Sequence, residues 1–134
     1  MAIASVTLTK AKFGEGVTAP TLTAFGALSS SEGAYIASTD TYGAKIPFEG
    51  HKSGKVLLHV ANTNSGATAS IRVVGGTSKV AGGHDLTISL AASGEQVICL
   101  ETGKYGHLDG EYKGFIVLTG AAATLKVLAI ELPN

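Results

Sequence analysis

The feature that most restricts this chain is a two-residue alternation of apolar and polar side chains, which recurs along its length and is cut repeatedly by glycine-rich turns. A β-strand turns successive side chains to opposite faces, so this period builds half-buried sheets, whereas a helix needs a spacing of about 3.6 residues. In residues 55–62, Val56, Leu58 and Val60 fall on one face and Leu57, His59 and Ala61 on the other. Asn62-Thr63-Asn64-Ser65-Gly66 is a turn cluster. Residues 67–74 then set Ala69, Ile71 and Val73 against Thr68, Ser70 and Arg72, and the two segments are expected to form a hairpin. Gly75-Gly76 and Gly82-Gly83 bracket a second connection, after which Leu86, Ile88 and Leu90 alternate with Thr87 and Ser89. Ser93-Gly94-Glu95 turns the chain into residues 96–101. Residues 115–119 and 123–132 read as a last hairpin around Gly120, ended by Pro133, which has no N–H to offer a ladder. Short strands separated by turns predict an all-β, antiparallel β-sandwich, jelly-roll or immunoglobulin-like.

The first third breaks this rhythm. Ile3, Val6 and Leu8 suggest one N-terminal strand, but residues 13–31 are rich in Gly, Thr, Ser and Ala with little periodicity. Tyr35-Ile36 and residues 45–49 offer two short strands, and Pro47 marks the second as an edge. The expected organisation is therefore an N-terminal strand and irregular arm over residues 1–31, laid over the sandwich or reaching beyond it, and a sandwich over residues 32–134, within a single domain. Leu22, Phe25 and Leu28 of the arm would each cost about 1.5–3 kcal/mol to leave in water. They are expected to pack on a neighbouring subunit.

Composition narrows the function classes. With 45% hydrophobic and 15% charged residues in 134, the chain has enough apolar material for a core of its own. Lys plus Arg equals Asp plus Glu, so no net field draws nucleic acid or an anionic membrane, and neither is expected as a partner. The first ten residues lack the basic and apolar blocks of a secretory leader, and no apolar run reaches the roughly 20 residues that span a bilayer, so a soluble protein is expected. A single cysteine, Cys99, rules out an intrachain disulfide; set in Val97-Ile98-Cys99-Leu100, it is expected to be a buried, inert thiol.

No catalytic, cofactor or metal site is expected. His84-Asp85, His107 with Asp109, His51 and His59 lack any recognised ligand spacing; His51, His84 and His107 read as solvated loop residues and His59 as a satisfied interior or sheet-face residue. The Gly-x-Ser-x-Gly elbow is absent, the acidic residues sit mostly in turns, and the glycine stretches lack the strand–loop–helix context of a phosphate cradle. The segment from Lys104 to Tyr112 is the most polar and aromatic loop, and two readings of it stand side by side. Tyr105, His107 and Tyr112 form a contact surface, or the loop packs its tyrosines over the end of the sandwich.

From Lys55 onward the chain resembles the capsid decoration, or cement, proteins of tailed bacteriophages. The resemblance is carried by Lys55-Val56-Leu57-Leu58-His59-Val60-Ala61-Asn62, by Ala69-Ser70-Ile71-Arg72-Val73, and by the run from Asp85 through Ser93-Gly94-Glu95 to Ile98. It continues through residues 114–120 and 125–133, with the terminal Leu-Pro. It implies a small β-sandwich without catalysis or cofactor, present as a homo-oligomer, with a trimer favoured. Such a protein sits on the lattice of the major capsid protein in a virion assembled in the bacterial cytoplasm, and the arm would then seat on a neighbouring subunit or on the shell. A tail or fibre component is the rival within virions, a carbohydrate- or ligand-binding sandwich the rival outside them, and an enzyme comes third.

Overall fold

The alternating segments become strands of two sheets, and the side chains on their inner faces meet in one core. The computed structural model describes residues 3–12, 14–28, 41–48, 55–76, 85–107 and 112–132. Its strands are β1 (Ala4–Ser5), β2 (Leu8–Lys10), β3 (Thr23–Ala24), β4 (Gly26–Ala27), β5 (Tyr42–Pro47), β6 (Lys55–Asn62), β7 (Ala69–Val73), β8 (Leu86–Leu90), β9 (Glu95–Glu101), β10 (Phe115–Gly120) and β11 (Leu125–Glu131). One helical turn, α1 (Thr102–Tyr105), follows β9.

The first sheet runs β1-β5-β10-β7-β8 with β4 also on β5, and the second runs β2-β11-β6-β9 with β3 also on β11. Its core is made of Ile46, Ile71, Val73, Leu90, Ile116 and Leu118 from the first sheet, packed against Val56, Leu58, Val60, Leu100, Leu125 and Val127 from the second. From β5 onward every connection between strands crosses from one sheet to the other except that from β7 to β8. This interleaving, with β3-β11-β6-β9 facing β5-β10-β7-β8, is the strand order of a jelly roll.

Two expected hairpins are corrected. β6 and β7 lie in different sheets, as do β10 and β11. Alternation reports which side of a strand is buried, and here the inner faces of β6 and β7 look at each other across the core instead of lying side by side. The pairing of β7 is with β8, Ile71 opposite Ile88. Nor is β5 an edge strand: β10 flanks one side, and β1 and β4 lie on the other against Ala44-Lys45 and Tyr42-Gly43 respectively. Pro47 is tolerated because it is the last residue of β5, beyond both of these short pairings.

Of residues 1–31, the described strands lie within the two sheets and do not reach beyond them. The chain passes from the first sheet to the second between β1 and β2, and returns between β3 and β4. Val6 and Phe25 stand at those two crossings, and both are buried in the main core. The segment that lacks a long period therefore closes one side of the sandwich, with strands too short to show one. Residues 29–40, including Tyr35-Ile36, lie outside the described residues, as do His51, His84, Asp109 and Pro133.

Candidate functional site

The expected contact residues separate by burial. Phe25 faces the chain's own core, Leu22 and Leu28 are half-buried, and Leu28 lies against the backbone of Gly43. Beyond α1 the chain folds back along β10: the His107 N–H donates to the Phe115 carbonyl at 3.0 Å and the Gly114 N–H to that of His107 at 2.8 Å. This fold-back buries His107 completely, with its ring edge-on to Tyr112 at 6.4 Å between centroids. Tyr112 in turn packs with Val74 and Val117 in a small second core behind the first sheet. His107 is thus not a solvated loop residue, and neither it nor Tyr112 presents a side chain to a partner. Tyr105 is half-buried against the main core. The glycines make this packing possible: a Cβ on Gly76 would stand 2.6 Å from the Gly106 carbonyl oxygen, and one on Gly106 only 2.5 Å from the Phe48 ring.

Two surfaces remain as candidates. The outer face of the first sheet holds an open groove of about 450 Å³ lined by Thr68, Ser70, Arg72, Thr87 and Thr119. Its one cation is engaged: Arg72 Nη1 lies 2.6 Å from Asp85 Oδ2, and Asp85 Oδ1 accepts the Gly75 N–H at 2.7 Å. Partial burial pushes the Asp85 carboxyl upward, but the Gly75 hydrogen bond and the Arg72 guanidinium outweigh it and hold it below its ordinary range. The groove can offer hydroxyls to a polar ligand, while the described residues lining it include no aromatic ring on which a sugar could stack.

The outer face of the second sheet is apolar. Leu57 stands between Ile130 of β11 and Cys99 of β9, and in the next row His59 stands between Leu128 and Val97. Val97 is 62% exposed, Cys99 is also exposed, and Leu57, Leu128 and Ile130 are half-buried. Cys99 shares the face of Val97, as the alternation requires, but that face is the outer one, so the expected burial of the thiol is overturned. The reason lies in β9 itself, whose two faces are both apolar in sequence. Charges close the patch at either end. Lys55 is opposite Glu101, and Ala61 stands between Lys126 and Glu95. His59 Nε2 lies 2.7 Å from Glu95 Oε1, so His59 is the satisfied sheet-face residue expected.

One polar residue escaped the sequence reading. Asn62, placed in a turn by composition, is buried at the end of β6. Its amide donates to the carbonyls of Ala67 (2.9 Å) and Ala91 (3.3 Å), while its oxygen accepts from the Asn64 N–H (3.1 Å) and the Thr124 hydroxyl (2.9 Å). It ties together three connections at one end of the sandwich. Only the pairing of sheets brings those loops to it, and no local signal announces that.

Among the described residues no group of three or more His, Cys, Asp or Glu is placed to hold a metal ion. No protein-family model, curated protein or solved structure matches the chain.

Proposed function

We infer that this chain is a non-enzymatic structural protein of a phage particle, decorating and stabilising the capsid surface. The observation that carries the reading is the apolar outer face of the second sheet, where Leu57, Val97, Cys99, Leu128 and Ile130 form one contiguous patch between charged ends. Apolar area left in water costs about 25 cal/mol per Å², and contiguous patches mark surfaces that another body covers. β6, β11 and the first half of β9 belong to the segments on which the resemblance to decoration proteins rests. The jelly-roll order also supports the reading, since coat domains of viruses use it. The partners of this reading are the major capsid lattice and further copies of the chain, in a virion assembled in the host cytoplasm, with no nucleic acid and no membrane.

A second reading is favoured by a different observation. Lectin domains share the jelly-roll order, and the hydroxyl-lined groove of the first sheet could take a polar ligand. Antibodies raised against the purified chain, applied to phage particles from the source lysate for immunogold microscopy, separate these readings. Gold on heads is the expected result. Gold on tails alone transfers the reading to a tail or fibre component. Unlabelled particles together with a defined signal on a glycan array favour the sugar-binding module.

A further inference from the structure

We propose that the outer face of the second sheet pairs with the same face of a second copy of this chain, about a two-fold axis running along β6. The proposal rests on the reading of this face as an assembly surface and names its occupant.

The charge pattern of this face selects the pairing. The sheet runs β2 and β3, then β11, β6 and β9, and its last three strands set three outward rows: Ile130, Leu57, Cys99, continued by Thr9 on β2; then Leu128, His59, Val97; then Lys126, Ala61, Glu95, continued by Ala24 on β3. Lys55 and Glu101 lie beyond the first row. The acidic residues Glu95 and Glu101 both sit on β9, while the cation Lys126 sits on β11. Rotation about an axis parallel to the strands keeps each row in place and lays β9 of one copy over β11 of the other. Val97 then covers Leu128 of the second copy, Cys99 covers its Ile130, and Leu57 and His59 each meet their equivalents on the axis, His59 held by Glu95 of its own copy. Glu95 stands over Lys126 of the second copy, twice by symmetry. Each Glu95 uses one oxygen on His59 and leaves the other for that lysine. The two Lys55 side chains approach each other at the axis, each with Glu101 beside it to offset the repulsion.

The competing self-pairings oppose acid to acid. A two-fold perpendicular to the strands, still face to face, puts Glu95 over Glu101. Edge-to-edge addition of β9 to its own copy, centred on Ile98, aligns the same two residues in register. Like charges set directly opposite are destabilising in either case. The edge of β9, the last strand of its sheet among the described residues, is thus guarded at both ends, as edge strands commonly are, and the face is left as the complementary surface. The resulting pair differs from the trimer that the family resemblance implies. Three strands make a narrow interface, so the pair dissociates on dilution and is reinforced where copies are held close together on a lattice.

Sedimentation velocity of the full chain over a thousandfold concentration range tests this. The expected result is a monomer–dimer equilibrium whose midpoint moves at least tenfold toward higher concentration in Glu95→Lys and in Lys126→Glu, and returns to within about threefold of the original when both substitutions share one chain. Far-ultraviolet circular dichroism of each variant confirms that the fold is kept. A wild-type chain that remains monomeric throughout, a doubly substituted chain no better than the single ones, or a loss of the β signal in both single variants overturns the pairing. A monomeric chain that still labels phage heads would sink the pairing alone. Charge-swap rescue with unlabelled particles would sink the particle reading alone.

Discussion

At the scale of single residues, burial alone does not rank importance. Asn62 is covered by its own chain, yet it makes four hydrogen bonds to three separate connections. Its replacement takes the partner from two carbonyls, an N–H and a hydroxyl; the Asn62 side chain is buried, while Ala67 and Ala91 lie at the surface. Asn62→Ala should lower stability by about 1–3 kcal/mol in urea unfolding; a loss below about 0.5 kcal/mol would mean that solvent replaces these bonds readily. Asp85 acts through pH. Its folded-state carboxyl is depressed, so its contribution is fully present above the ordinary unfolded value of about 3.9 and is lost as pH falls through the lower folded value. Because the side chain is 42% exposed, Asp85→Asn should remove no more than about 1 kcal/mol at neutral pH. The difference between variant and wild type should shrink below about pH 4, and a difference growing in acid would reverse the sign of this account.

At the scale of elements, the alternation set apolar against polar faces in β7 and β8, and the core contains Ile71, Val73, Ile88 and Leu90 accordingly; in β6 it grouped Val56, Leu58 and Val60, which the core also contains, without marking their face as the inner one. It could not predict the partner of each strand, because a residue facing inward from either sheet looks the same in sequence. It also failed on β1 to β4, each only two or three residues long, where no period can be displayed. Those short pieces matter more than an arm would. Phe25 fills the crossing between β3 and β4, and Phe25→Ala should cost about 3–5 kcal/mol, measurable as a shift in the denaturant midpoint. Removal of residues 1–31 should abolish cooperative unfolding instead of leaving an intact sandwich, since it takes away Val6, Phe25 and the strands that cover β5 and β11. A truncated chain with an unchanged thermal transition would restore the arm as a separate element. The candidate surface was partly visible in the same way: the sequence put Val97 and Cys99 on one face, but which face met solvent depended on the register with β6, which sets Ile98 beside Leu58 and Leu100 beside Val56 on the core side.

At the scale of the whole molecule, two sheets share one core but present unlike outer faces. The first carries hydroxyls, an engaged Arg72–Asp85 pair and a small second core beneath Tyr112. The second carries an apolar patch with charges at its ends. The proposed assembly covers that second face, and Cys99, the only cysteine, reports on it from within the patch. The most direct measurement is therefore the rate at which a bulky thiol reagent modifies native Cys99, followed from dilute to concentrated protein and again after addition of phage heads. The account predicts rapid modification in dilute solution, slowing at least tenfold as the face is covered. The same rapid rate under every condition would contradict it.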